Sequence, residues 1–489
     1  MIKLGAEQLC QPIRYLINMS FNVSSFPNDL KAAEVTPVFK KNDRLNKVNY
    51  RPVSVLPCLS KVFESIYIDQ LNKYFDSLLS PYLSGFRKSH NCQHVLLDFI
   101  KKCKSALDEG KMYGALLTDL SRAFDCLPHK MLITKLNAYG VDSKACMLLS
   151  NYFVGRKQRV KLPHVKGNWL NISKGAPQGS LMGPFGYNVH SNDLLCMLVH
   201  LCDVFNYADD NTLGCEGKDV PELQTKLEKA SSMMLNWFDE NGMQANPEKF
   251  QFIVFDRKEN GQHNIHVNGI EIKSQQMVKL LGVHIDSKLT FNYHISQLCM
   301  KAGRKISVMS RLCTVLDCKT KLLLFNSFII SQFNFCPLVW QHCKRCDMIK
   351  IEKIQFRALK YVYRDYKSSY EYLRQKSDRL LMYEYRMKIM LCEVFKCVHK
   401  LNPLYMHEIF ELNTHNHNTR GTMNVVLPHF NYVKYGKDTF SYYGAKMWNL
   451  LPEDFKLVNS YHVFKSSIES LTTRRCLCSY CDSCVLYAI

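Results

Sequence analysis

The chain has 489 residues, 47% of them hydrophobic, and a formal net charge of +21 with 64 Lys and Arg against 43 Asp and Glu; that is enough apolar surface for several cores. The basic excess is spread along the chain, which favours a polyanionic partner. No apolar run is long enough to span a bilayer, and the first 21 residues are interrupted by Lys3, Glu7, Gln11 and Arg14, so neither a transmembrane helix nor a secretory leader is expected. The 21 cysteines lie below the density of a disulfide scaffold and read as reduced thiols of an intracellular protein, cytoplasmic or nuclear and not secreted.

In chain order, Ser60 to Leu79 carries Val62, Phe63, Ile66, Tyr67, Leu71, Tyr74, Phe75 and Leu78 at helical spacing, which predicts a helix with one buried face. GALLTDL, Gly114 to Leu120, reads as a buried strand, followed by a helix through Leu132, Leu136 and Tyr139 that Gly140 can cap. A strand-turn-strand covers Val204 to Leu213, a helix runs between Leu223 and Gly242, and Phe250 to Phe255 is a further strand. From Phe291 to about Asn402 the pattern turns helical and basic, with Lys301, Arg304, Lys305 and Arg311 on one predicted helix, and Pro403 to Ile489 is mixed. The fold class is α+β.

Acidic residues fall at predicted strand ends: Asp119 after GALLT, and Asp209 with Asp210 after FNYA. Asp209, Asp210 and Asn211 are ordinary β-turn residues. Adjacent aspartates, however, raise each other's pKa unless a cation screens them. Mg²⁺ takes carboxylate and phosphate oxygens, and a pair of such ions serves in-line phosphoryl displacement when acids come from neighbouring strands.

TDLSRAFD (118–125), GAPQGS (175–180), YADD (207–210), NPEK (246–249) and KLLGVHID (279–286) resemble, in order, the palm motifs of reverse transcriptases of the jockey-like, non-LTR retrotransposon kind. FPNDLKAAEVTPVFKKND, NYRPVSVLPCLSKVFE and LSGFRKSHNC are similar to that family's fingers segments, and AKMWNLLPEDF resembles a segment near its C-terminus. The resemblance implies a right-hand polymerase with fingers, an antiparallel palm sheet, a thumb and a mostly helical C-terminal half. Its regions are fingers in 1–115, palm in 116–290, thumb and connection in 291–402 and a C-terminal region in 403–489.

It further implies RNA-directed DNA synthesis from dNTPs on an RNA template and DNA primer, with two Mg²⁺ or Mn²⁺ ions and no membrane. Asp119, Asp209 and Asp210 are implied as the metal ligands, Phe124 as the ring that excludes a 2′-hydroxyl, and Gln178 and Gly179 as nucleotide contacts. Lys40, Lys41 and Arg51 are implied at the triphosphate, Lys249 as general acid for the leaving pyrophosphate, and Lys301, Arg304 and Lys305 on a helix that tracks duplex phosphates. The endonuclease that many family members carry is expected to be lacking. Gly186 and His190 stand where large apolar residues are usual, which predicts looser packing, and Leu83 stands in place of a Gln. Cys476, Cys478, Cys481 and Cys484 are candidate zinc ligands, although their CxC spacing departs from the usual knuckle. Two alternatives stay open: an RNA-dependent RNA polymerase, which shares the palm, and a catalytically degenerate remnant that still binds nucleic acid.

Overall fold

The computed structural model describes residues 4–120, 123–258, 261–312, 314–413 and 423–470, so the four C-terminal cysteines lie outside the described residues. Strands β1 (Ala32–Phe39), β2 (Tyr50–Val55), β3 (Met112–Leu117), β4 (Lys157–Val160), β5 (Leu170–Asn171), β6 (Asp203–Tyr207), β7 (Asp210–Gly217) and β8 (Gln251–Phe255) form two four-stranded sheets. The first, ordered β2-β1-β4-β5, combines strands far apart in sequence, with β1 parallel to β4. The second, ordered β6-β7-β3-β8, is antiparallel throughout.

The second sheet is covered on both faces, which is why its strands read as nearly continuous apolar runs. Side chains alternate between two cores with the two-residue strand period. Tyr113, Ala115 and Leu117 of β3, with Phe205, Ile253 and Phe255, point to a core shared with the helix Cys92–Asp108. Leu116 with Val204, Leu213, Phe252 and Val254 point to the other, shared with the helices Met182–Leu198 and Val220–Glu240. The first core runs without a break from the sheet through the hairpin 277–286 into the helices Asn292–Leu312, Arg345–Tyr363 and Met382–Val398, ending at Ile468. The helical C-terminal half is therefore built onto one face of the sheet.

Helix ends follow local chemistry. Asn91 accepts the His94 N–H, Asp142 accepts those of Lys144 and Ala145, and Asp219 accepts that of Glu222, each capping a helix N-terminus. Gly140 sits at φ +84 past the helix His129–Ala138, the left-handed position expected of it. Among the described residues, no helix is long and apolar enough to cross a membrane.

The expectation of looser packing at Gly186 and His190 is not met. A Cβ on Gly186 would sit 3.0 Å from Leu132 Cδ2, so neighbouring side chains already fill its place. His190 is fully buried against Trp237, at 5.5 Å between rings, and burial lowers its pKa to about 4, so it packs as a neutral ring.

Candidate active site

The β6–β7 hairpin places the acidic pair. Tyr207 pairs with Asp210, so the turn consists of Ala208 and Asp209 alone. Asp210 opens β7, and Asn211, which by composition belongs to a solvated turn, is buried within that strand at 3% exposure. Ala208 takes φ +56, a conformation that costs a residue with a Cβ roughly 1–2 kcal/mol. Tertiary contacts hold it there. The Asn206 side-chain amide donates to Ala208 O and to Asn211 Oδ1, both at 2.9 Å, and Gly85 lies directly against the turn.

A Cβ on Gly85 would fall 2.3 Å from Ala208 N and 2.6 Å from its Cα, a collision with backbone that no rotamer relieves. Gly85→Ala is therefore expected to displace the acidic turn and to destabilise the protein by roughly 1–3 kcal/mol, the usual cost of overpacking. Thermal melts with hydrogen exchange at the Asp210 and Asn211 amides check this; wild-type stability and protection would show that the turn tolerates the added methyl.

Asp119 comes from the adjoining strand end. The β3–β7 register pairs Leu117 with Thr212, and the Thr118 N–H and hydroxyl both donate to Asn211 O, at 3.0 and 2.9 Å. Continuing that register sets Asp119 opposite Asp210. On its other side, Asp119 O accepts the Asn246 N–H at 3.0 Å and its carboxylate pairs with Lys249 Nζ at 3.3 Å, which joins TDL to NPEK.

The three carboxylates act on one another electrostatically. Burial raises the Asp209 pKa, and Asp119 raises it further, while Lys40 and Arg51 oppose both. Desolvation, then Asp209 and Asp119, push Asp210 up to about 6, with Lys40 opposing. Because the folded pKa of Asp210 lies above its ordinary 3.8, its protonated form favours folding. That stabilisation is complete below about pH 4 and is lost as pH rises through about 6. In chelator, the melting temperature of the wild type is expected to fall relative to Asp210→Asn across that interval, and millimolar Mg²⁺ at pH 7 is expected to close the gap. Parallel melting curves of the two proteins between pH 4 and 7 would refute the shift.

Lys40 and Arg51 reach the acids from the first sheet. Val38 pairs with Arg51 across β1 and β2, and the Lys40 N–H donates to Asn49 O. Lys41 is exposed on the following loop. The GAPQGS loop ties this sheet to the second. The Ser54 N–H donates to Gln178 O at 2.8 Å, and Gly179, at φ +135, approaches so closely that a Cβ would fall 2.6 Å from Ser54 O. The Gln178 amide donates to Asp125 Oδ1 at 3.0 Å, and the Ala176 N–H donates to Phe124 O, so the loop also braces the segment after Asp119. The fully buried Glu64 accepts the Leu181 N–H at 2.7 Å and the Tyr152 hydroxyl at 2.8 Å, fixing the start of the next helix.

Phe124 lies between Phe86, edge-on at 5.8 Å, and Tyr187, tilted at 4.9 Å. Tyr187 is fully buried beneath Asp209 and Asp210, and burial with those two charges raises its pKa. Phe86 is 56% exposed at φ +58, an unusual backbone for an aromatic residue. Beside Asp119 and Asp210 opens a cleft of about 400 Å³ whose wall includes Lys249, Gln275, Lys279 and Leu281. Sequence reasoning missed Gly85, Phe86, Tyr187, Asn206 and Glu64; the glycine of LSGF was the one available pointer, because glycine is the residue that permits close approach of another backbone.

Hard carboxylate oxygens at one sheet end suit Mg²⁺, which is held by one or two carboxylates and completed by water and phosphate. Among the described residues, no group of three or more His, Cys, Asp or Glu is assembled so that it could hold a metal ion by itself, so a cation at this sheet end would need water and phosphate oxygens to complete its coordination. An antiparallel sheet that carries an acidic hairpin, beside a second sheet whose Lys40 and Arg51 act on that hairpin, is the architecture of the right-hand polymerase fold.

The chain belongs to the reverse transcriptase (RNA-dependent DNA polymerase) family, whose model matches residues 39–285. Among curated proteins it is 24% identical over 373 residues to the RNA-directed DNA polymerase from mobile element jockey of Drosophila melanogaster, covering 73% of this chain and 40% of that protein. It is 23% identical over 388 residues to the probable RNA-directed DNA polymerase from transposon BS of the same species, covering 73% and 42%. Both relatives are named as polymerases of mobile elements. The chain spans about two fifths of the length of these relatives. Among solved structures, apo telomerase from Candida tropicalis aligns with 71% of this chain and 59% of that one at 11% identity and a TM-score of 0.45.

Proposed function

We propose that this chain is an RNA-directed DNA polymerase that extends a DNA primer with dNTPs on an RNA template. One observation carries the reading: Asp119 joins Asp209 and Asp210 at the end of the antiparallel sheet, within the electrostatic reach of Lys40 and Arg51 from the other sheet. The regions divide as fingers in 1–115, palm in 116–290, thumb and connection in 291–402 and a C-terminal region in 403–489.

Asp119, Asp209 and Asp210 would hold two divalent cations, which would supply Lewis-acid activation of the attacking hydroxyl and charge neutralisation at the triphosphate. Lys40, Lys41 and Arg51 grip the triphosphate oxygens and orient the nucleotide for in-line attack. Gln178 and Gly179 line the approach of the base and sugar, and Phe124 excludes a 2′-hydroxyl. Lys249, paired with Asp119 at 3.3 Å in the resting site, donates a proton to the departing pyrophosphate. Lys301, Arg304 and Lys305, on the helix Asn292–Leu312, follow the phosphates of the product duplex by charge and shape.

Primer extension on poly(rA)/oligo(dT) with Mg²⁺ tests the reading, and dTTP incorporation is the expected result. Preference for NTPs would support an RNA-dependent RNA polymerase instead. Salt-sensitive RNA binding with no extension in Mg²⁺ or Mn²⁺ would support a degenerate nucleic-acid-binding remnant.

A further inference from the structure

The helix Arg345–Tyr363 turns Met348, Ile351, Gln355, Ala358, Leu359 and Val362 inward. On the outward side Lys350, Lys353, Arg357, Lys360 and the capping Arg364 recur every three or four residues, the spacing of a single helix face. From Lys353 to Arg364, at 1.5 Å per residue, that face is about 16 Å long. Asp347 pairs with Lys350 at 2.7 Å, so Lys353, Arg357, Lys360 and Arg364 are the cations that carry the stripe. Glu352 of the same helix is buried, Asp365 is turned toward the Lys367 and Ser368 N–H groups, at 3.1 and 3.0 Å, and Glu371 is the exposed acid of the next helix.

Aromatic rings flank the stripe. Arg364 ends the helix in a left-handed turn at φ +54, and the chain doubles back into the helix Tyr370–Lys376. Tyr366 and Tyr372 are 55% and 51% exposed, and Lys376 lies 5.0 Å from the Tyr363 ring and 5.8 Å from that of Tyr372. Duplex recognition needs only cations matched to phosphates, whereas exposed rings beside those cations match a strand whose bases are free to stack.

We propose that the face formed by residues 353–376 is a binding surface for single-stranded polynucleotide, distinct from the carboxylate site. Its affinity comes from phosphate neutralisation along the stripe and from base stacking on Tyr366 and Tyr372. It provides the protein with a second hold on a strand whose other part is being copied.

The test is fluorescence anisotropy of labelled 20-nucleotide RNA and DNA single strands across a salt series, using the full chain. The stripe variant combines Lys353→Gln, Arg357→Gln and Lys360→Gln with Arg364→Asn, since Asn tolerates the left-handed cap. A control variant removes the same charge from exposed positions elsewhere, with Lys130, Lys144, Lys218 and Lys229 each changed to Gln. The stripe variant is expected to bind at least about tenfold more weakly at 0.15 M salt. Its log–log salt slope is expected to be shallower by about three, at roughly 0.7 for each phosphate no longer neutralised. The control is expected to stay within about twofold of wild type.

Tyr366→Leu with Tyr372→Leu is expected to weaken single-strand binding while leaving duplex binding within about twofold. Equal losses in stripe and control variants would reduce the effect to net charge and overturn the proposal. So would loss of binding to phosphatidylserine vesicles with RNA binding intact, because the surface would then serve a membrane. An Asp209→Asn protein that fails in extension yet binds the strands like wild type keeps this inference distinct from the polymerase reading.

Discussion

Asp209→Asn is expected to lower primer extension by about a thousandfold while leaving the protein at least as stable as wild type. The loss is that of a charged group aimed at the reacting centre. The stability follows from what Asp209 meets in the folded chain: it is partly desolvated and shares the sheet end with Asp119 and Asp210, so its charge opposes folding. An amide of the same shape removes that repulsion and leaves the Ala208–Asp209 turn free to keep its geometry. A melting temperature unchanged or raised by a degree or two (~1 kcal/mol or less) together with abolished extension identifies a catalytic carboxylate. Equal extension by wild type and variant would end the site assignment. A lost fold would indicate a structural one.

The second large effect is expected at Phe124. If its ring excludes the 2′-hydroxyl, then Phe124→Val should lower the preference for dTTP over UTP by about a hundredfold, chiefly by admitting the ribonucleotide. The ring is supported by Phe86 on one side and Tyr187 on the other, so truncation also leaves a gap beside a buried tyrosine. Lower stability alone would reduce incorporation of both nucleotides in parallel. Single-nucleotide incorporation kinetics separate the outcomes, because a gate alters the ratio of kcat/KM values and a packing residue alters both together. An unchanged ratio in an active variant would make Phe124 a core aromatic.

The elements that could be read from the chain are those whose signal is local. The helix expected over Ser60 to Leu79 forms over Cys58–Phe75, and the strand, hairpin, helix and strand between Gly114 and Phe255 form within a few residues of their expected limits. Apolar period, caps and turn residues set these elements, and all of them act within a few positions. The motif order from Thr118 to Asp286 likewise pointed to a palm through residue identity alone, and the family match over 39–285 agrees with it. The four cysteines of the C-terminal tail remain candidates by spacing only.

What the chain did not disclose is what depends on residues distant in sequence. YADD reads as a turn of polar residues. In the folded protein the turn is Ala208 and Asp209, strained at Ala208, with Asn211 withdrawn into the strand. That geometry needs Gly85, more than a hundred residues earlier, to leave room for the backbone, and Asn206 to bind both ends of the turn. The approach of Arg51 to Asp209 likewise depends on the Ser54–Gln178 hydrogen bond and on the missing side chain of Gly179. By itself the sequence determined which carboxylates, cations and ring are available, and on which local elements they ride. Only the tertiary structure decided that Asp119, Asp209 and Asp210 share one sheet end, because like charges come together there only when packing between distant segments compensates their repulsion.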